Sequence, residues 1–462
     1  MPAKAWVALA ISAAGQVLFA FNLTATNIAF EDIGRTFPDE TASTLSWVAT
    51  VFLIGSASLL LVSGRVADRI GRRRVFNVGL GLFAISAVVS AVAPNVYLLI
   101  FGRFLGAAAS AMVIPSGLAM ILPLFPKARH GTAVGAWSSA APIASIIAPS
   151  LSALVIDASS WRWLYAIGAP AALLALLAGI PVLAETRAPA ATGRLDLLGA
   201  ASGTVAIALM VFVVANAANL GITSAPIVAA AIGAAVLLPT FIRRCQRHPQ
   251  PLLNLQLFKI RAVWSANLAN WWMGLVGTST WLIWPLFFAR IWGYDKAAIG
   301  GALTIGPIFA FTFTTLGGRL VDRFGARRVA VIGSLGAPVS LGWPLLFLDA
   351  TPNYWLSAAP SIAFYGASWA ATMPPLQSGI LRQVPASVYG EASAAFNTVR
   401  NVAGAVGIAG ALSIIGDADR PDAVAAYDRV WLVSFVAVVL CMLTIILLYP
   451  SDRPARASRS DR

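Results

Sequence analysis

Along this chain long apolar runs alternate with short polar stretches, and the runs have the length of membrane-crossing helices. Fourteen qualify: 6–30, 44–63, 75–94, 96–121, 131–156, 162–184, 195–217, 225–243, 262–289, 297–317, 329–348, 354–380, 391–415 and 429–449. A hydrocarbon core of roughly 30 Å takes about 20 helical residues, and a helix satisfies its own backbone groups where water is absent. The pattern predicts an all-α polytopic membrane protein with 14 transmembrane helices. The seventh and eighth runs are Ala-rich and separated only by Asn219–Ser224. The first run follows Lys4 in the manner of a signal peptide, yet it continues to Phe30, too long for a cleaved apolar region, so it reads as an uncleaved first span.

Composition agrees, with 59% hydrophobic and 11% charged residues against about 25% charged in soluble proteins. No charge-rich stretch is long enough for a separate soluble domain. The net charge of +14 is spread in short clusters between apolar runs, which argues for loops near an anionic lipid surface rather than a nucleic-acid face. Most of the 32 basic residues fall in alternate loops: Lys4; Arg65, Arg69 and Arg72–Arg74; Lys127 and Arg129; Arg187 and Arg194; Arg243, Arg244, Arg247, Lys259 and Arg261; Arg319, Arg323, Arg327 and Arg328; Arg382; and the tail arginines. The opposite loops carry Arg35, Arg162, Arg290, Lys296, Arg420 and Arg429. This asymmetry puts both termini in the cytoplasm of a cell inner membrane, as an even number of spans requires. Cys245 and Cys441 are placed too differently to form a disulfide framework.

The polar stretch after span 2 reads Gly64-Arg-Val-Ala-Asp68-Arg-Ile-Gly71-Arg-Arg-Arg-Val75, and that after span 10 reads Gly318-Arg-Leu-Val-Asp322-Arg-Phe-Gly325-Ala-Arg-Arg-Val329. Eight of the twelve positions are identical. Two copies, each after the second span of a six-span set, indicate parallel repeats related about the membrane normal. The domain expectation is an N-terminal six-helix bundle over 1–187, a two-helix insertion over 188–248, a C-terminal six-helix bundle over 249–450 and a tail over 451–462. Gly64, Gly71, Gly318 and Gly325 suit close helix approach and tight turns. Asp68 and Asp322 suit capping of a neighbouring helix or pairing with arginines. Together with Arg69, Arg72, Arg323 and Arg327 they form a candidate latch that breaks when the bundles rock.

These residues resemble the signature loop of the major facilitator superfamily, and fourteen spans with two inserted centrally are similar to its drug:proton antiporter branch. The stretches Arg103–Pro115, Trp161-Arg162-Trp163, Leu195–Gly199, Pro251–Phe258, Gly390–Ser393 and Asn397–Gly404 match as well. The resemblance implies a secondary transporter that exports small amphipathic molecules by alternating access. The chain departs from the branch at three places: Asn22 stands where span 1 usually has aspartate, Gly106 where span 4 has glutamine, and Ala148–Ala153 where span 5 has a Gly-Pro motif. Proton antiport, which the resemblance also implies, would here lack its span 1 carboxylate.

Polar groups at mid-depth mark a transport path, because an ionisable side chain there costs about 2.5–3.5 kcal/mol on insertion scales. Arg400 lies near the centre of span 13 with Asn397 and Asn401 at helical spacing. Asn267, Asn270 and Trp271 share a face in span 9; Gln16 and Asn22 lie in span 1, and Arg103 in span 4. The asparagines and glutamine serve equally well as interhelical hydrogen-bond partners. Among the tryptophans, Trp137, Trp271 and Trp281 sit farthest inside their spans and join the cavity candidates. The acidic residues and both histidines lie in loops or near span ends, Glu31, Asp196 and Glu391 coming nearest to entering. An electropositive cavity favours neutral or anionic amphiphiles, and an exported anion gains about 2.3 kcal/mol per 100 mV from an inside-negative potential. No nucleotide-binding loop, metal cluster or nucleophile–base constellation is present, so neither an enzyme, a cofactor nor an ATP-driven pump is expected. The expected partners are an amphipathic small molecule and membrane lipid, with a monomeric chain. Uptake of a metabolite, or a non-transporting sensor on the same scaffold, are the rival expectations.

Overall fold

A computed structural model describes residues 3–186, 196–221, 223–249, 251–415 and 423–451, and no strand occurs among them. Seventeen α-helices follow in order: α1 (Ala3–Thr36), α2 (Ala42–Ile70), α3 (Arg72–Ala91), α4 (Val96–Ile121), α5 (His130–Ser138), α6 (Ala140–Ala158), α7 (Arg162–Ala166), α8 (Gly168–Val182), α9 (Leu197–Leu220), α10 (Ala225–Arg247), α11 (Arg261–Arg290), α12 (Lys296–Leu303), α13 (Ile305–Phe324), α14 (Ala326–Phe347), α15 (Ala359–Gln383), α16 (Tyr389–Ile415) and α17 (Ala423–Leu443). Each expected span has its helix. Three spans are broken once, at Ser139, Ile167 and Thr304, which separate α5 from α6, α7 from α8 and α12 from α13. The cause is common to all three. Pro142, Pro170 and Pro307 stand three residues past the break, and each removes the amide that would bond the carbonyl four residues back.

Thirteen of the spans are apolar enough by composition to cross a membrane. The fourteenth, α15, is 25 residues long but carries Ser361, Ser368, Thr372, Gln377, Ser378, Pro374 and Pro375, all but fully buried. It packs between α13 and α14, with Ser361 donating to the Ser340 carbonyl and Ser368 to that of Gly333 at 2.6 Å each. A helix surrounded by other helices needs small, hydrogen-bonding contact residues more than it needs apolar ones.

The chain forms two six-helix sets with α9 and α10 between them in sequence. In the first, α4 packs against α2 and α3, and α1 against α6; in the second, α15 packs against α13 and α14, and α11 against α16 and α17. The end of the second set away from the repeated motif is filled by Trp284, Phe287, Phe288, Trp292, Tyr427 and Trp431, with the Trp284 and Trp431 rings 4.7 Å apart. The inserted α9 touches both α2 and α16. A single apolar cluster there joins Ala57 and Leu61, Ile207 and Val211, Phe241, Leu252, and Ala394 and Val402, so the inserted pair covers a seam between the sets. At its base Asp196 pairs with Arg244 and accepts the Gly199 N–H. Burial works to raise the Asp196 carboxyl, but the Arg244 guanidinium and the Gly199 N–H outweigh it and hold the group below the ordinary carboxylate value. Arg187, Arg194, Arg420 and the tail arginines, with nearly all of the expected tail over 451–462, lie outside the described residues.

Candidate gate and transport path

The repeated motif is not a loop. Helix α2 runs seven residues past its apolar run to Ile70, α13 likewise to Phe324, and Gly71 or Gly325 alone makes each turn. Their φ angles of 121° and 88° explain why glycine stands there. Hydropathy falls at Gly64 because charge enters, but Arg and Ala are good helix formers and Val and Ile are tolerated, so the helix outlasts the apolar pattern.

Helix continuity carries each aspartate to the opposite six-helix set. Asp68 accepts the backbone N–H of Glu391 in the first turn of α16, at 3.1 Å. Asp322 accepts those of Gly131 and Thr132 in the first turn of α5, both at 2.8 Å. Free first-turn N–H groups and the helix dipole make these good carboxylate sites. The glycines set the spacing. A Cβ on Gly64 would come within 2.8 Å of the Ala394 Cβ and 2.9 Å of the Gly390 carbonyl oxygen, and one on Gly318 within 2.6 Å of the Gly131 oxygen. The two receiving segments correspond in sequence: Pro126-Lys-Ala-Arg-His130-Gly131 and Pro385-Ala-Ser-Val-Tyr389-Gly390. His130 and Tyr389, equivalent by position, meet edge to face with ring centroids 6.4 Å apart. The sets therefore meet on their arginine-rich side through two reciprocal contacts.

Arg72 is buried and serves Asp68 through Nε and Nη2 at 2.8 and 2.7 Å, while its other contacts are the carbonyls of Ala119 and Ala386. Asp322 receives instead Arg382 at 2.6 Å and the Thr132 hydroxyl at 2.5 Å. Arg69 is half-buried, Arg323 is exposed over the Phe324 ring and Arg327 donates to the Ile446 carbonyl. Glu391 completes the first contact: it pairs with Arg65 at 3.3 Å and accepts the N–H of Asn254 in the stretch leading from α10 to α11. The sequence pattern did not single out Arg382, Thr132 or Gly131. One signal was available: Ala326 occupies the position equivalent to Arg72, so the second aspartate needs its cation from elsewhere.

The path candidates fall into separate groups. Arg103, 1% exposed, donates to the Val48 carbonyl and to Asn22 Oδ1, and its guanidinium lies 4.3 Å from the Phe52 ring centre. Trp137 is buried and donates to Ser12; Gln16 is half-buried on the same helix, α1. In α11, Asn267 donates to the Val263 carbonyl and Asn270 to that of Phe396, leaving both amide oxygens buried without a partner. Trp271 packs beside the inserted pair, whereas Trp281 is half exposed. Arg400 donates to Asn397 Oδ1 at 2.6 Å, Asn397 in turn donates to the Ser393 carbonyl, and Asn401 is half-buried one residue on. Arg400–Asn397 and Asn270 are brought together at the α11–α16 contact; Gln16, Trp137 and Trp281 are not part of it.

The Major Facilitator Superfamily model matches residues 8–408 and 266–462, together nearly the whole chain. The chain belongs to the major facilitator superfamily. Among the superfamily's members it is 25% identical to the lincomycin resistance protein LmrB of Listeria monocytogenes, over 86% of this chain and 83% of that protein. It is 28% identical to the multidrug efflux pump LfrA of Mycolicibacterium smegmatis, over 88% and 80%. A solved structure of the proton:xylose symporter XylE bound to 6-bromo-6-deoxy-D-glucose superposes with a TM-score of 0.71 at 18% identity, covering 97% of this chain and 96% of that one, a likeness of fold. The chain is thus a multi-pass membrane protein of a transporter superfamily, whose members are secondary transporters rather than enzymes.

Proposed function

We propose that this transporter exports small amphipathic molecules by rocking its two six-helix bundles, with the Asp68 and Asp322 contacts as the latch on the cytoplasmic side. The observation that carries the reading is the reciprocity of those contacts: each aspartate of one set caps the first turn of a helix in the other, so both open together when the sets separate. The domain frame is 1–187 and 249–450 as the moving bodies, with 188–248 as an insertion. Orientation follows from the arginine-rich side facing the cytoplasm of the inner membrane, with both termini there. Export is the direction suggested by LmrB and LfrA, whose names concern resistance and efflux. Gln16, Asn22, Arg103, Trp137, Asn267, Asn270, Trp271, Trp281, Asn397, Arg400 and Asn401 are the proposed cavity candidates. The test is expression in an efflux-deficient bacterium followed by accumulation of amphipathic dyes and toxins. Lower accumulation with the wild-type chain, lost with Asp68→Asn and Asp322→Asn combined, is the expected outcome. Equal or higher accumulation of every compound would sink the export reading.

A further inference from the structure

Two guanidiniums stand within the spans beside neutral partners. Arg103 holds the Val48 carbonyl and Asn22, and its Nη2 is buried with no hydrogen-bond acceptor. Arg400 lies eleven residues into α16, roughly 16 Å along the axis at 1.5 Å per residue, and its hydrogen bond goes to Asn397. The fully buried carboxylates among the described residues are Asp68, Asp196 and Glu391. All three sit near span ends and are already paired, with Arg72, Arg244 and Arg65. A guanidinium keeps its proton in a protein, so neither charge at depth is cancelled by an acid or by titration. Charge interactions gain strength as the dielectric falls, and a passing cation would meet two such groups while a passing anion would be drawn to them.

We infer that the molecule carried bears a negative charge on an apolar body, and that Arg400 is the group that meets it. This rests on the transport reading above and names the substrate class for it. Arg103 is closed off between α1, α2 and α4 and supplies a fixed field; Arg400 is half-buried and free to exchange the neutral Asn397 oxygen for a carboxylate or sulfonate. The surroundings suit an amphiphile. Apolar surface lies close by: helices α11 and α16 approach so closely that a Cβ on Gly274 would lie 3.1 Å from the Arg400 carbonyl oxygen, and Trp271, one turn away on α11, packs against the apolar cluster that lines the seam beside the inserted pair.

The test uses three fluorescent probes that share one body and differ in charge: pyrenebutyrate, pyrenebutyramide and pyrenebutylamine. Binding to purified protein is read by energy transfer from tryptophan, and movement by uptake into inverted proteoliposomes. The carboxylate is expected to bind at least tenfold more tightly than the amine. Arg400→Gln should cut that preference to within about twofold and leave the amide unchanged. Asn22→Asp, which places a carboxylate beside Arg103 and leaves Arg400 intact, should narrow the preference by a smaller factor, and it keeps the inference testable if Arg400→Gln fails to fold. Amine binding equal to or tighter than carboxylate binding, or an equal loss of all three in Arg400→Gln, would overturn the charge inference and leave transport standing. If none of the three is bound or moved, the transport reading falls and the inference with it.

Discussion

The two copies of the repeated motif perform one task with different hardware. In the first, the cation is local: Arg72, four residues after Asp68, forks onto it, and the pair is almost fully buried, with side chains 3% and 2% exposed. In the second, alanine holds the equivalent position and Arg382 arrives from the end of α15, in a pair with side chains 22% and 13% exposed. The backbone side is inverted too, since Asp68 caps one N–H and Asp322 two together with a hydroxyl. The first contact is thus a buried ion pair whose grip across the seam is shared among Asp68, Arg72 and Arg65, the second a cap concentrated on one aspartate with a partly wet ion pair. Repeats diverge most readily where a charge can be supplied from more than one place, because geometry at the aspartate is preserved while the donor changes.

The largest effect should come from Asp68→Asn. Removing one member of a buried pair leaves Arg72 uncompensated, worth about 3–5 kcal/mol, and loosens the first contact at the same time. The expected outcome is a clear fall in thermal stability in detergent and strong alkylation of a cysteine introduced at Ala394, which is buried against Gly64 across the seam. Wild-type stability with no change in alkylation would show that Asp68 is not the centre of the contact.

Next comes relocation of the cation. Arg382→Ala leaves Asp322 with three neutral donors, so it should cost less, about 1.5–3 kcal/mol for a charged hydrogen bond. Adding Ala326→Arg rebuilds the first motif's local arrangement and should restore most of the transport and stability. If the double variant is no better than Arg382→Ala alone, the two motifs differ in geometry as well as in the source of charge.

How much of this was legible beforehand follows the physics of each feature. Span positions were, because the bilayer imposes length and apolarity locally. Helix α15 was found by length despite weak apolarity, and the proline-linked breaks at Ser139, Ile167 and Thr304 lay within runs that a hydropathy pattern treats as uniform. The aspartates could be assigned to capping from residue type and repetition. Their receivers could not, because Glu391, Gly131, Thr132 and Arg382 lie between 60 and 323 residues away in sequence, and only folding brings them near. The helical state of the motif was hidden as well, since charge ends an apolar run without ending a helix.

A third comparison separates spacing from charge. Gly71→Ala and Gly325→Ala both force a side chain into a positive-φ, extended-ψ region that glycine alone adopts readily, at about 1–3 kcal/mol each. At Gly71 the new Cβ would also run into the Glu185 carboxylate, which accepts the Arg73 N–H. Gly71→Ala should therefore lower the thermal midpoint by more than backbone conformation alone requires, and Glu185→Ala in the Gly71→Ala background should recover part of the loss. No recovery would assign the whole cost to backbone conformation.

The smallest effect belongs to Thr132→Val. The hydroxyl is one of four donors to Asp322, and both backbone N–H groups and Arg382 remain in place. Valine keeps the volume but cannot donate, and β-branching is already present at the site, so helix propensity barely changes. Loss near the lower end of about 1.5–3 kcal/mol for a charged hydrogen bond should appear as a modest fall in the thermal midpoint with transport retained. Because Asp68 has no hydroxyl donor, this variant makes the second contact more like the first. If the cap is what holds the second contact, alkylation of a cysteine introduced at Ala133, buried in α5, should rise only slightly; a rise as large as that from Arg382→Ala would instead mean that the side-chain donors, and not the helix terminus, carry the grip.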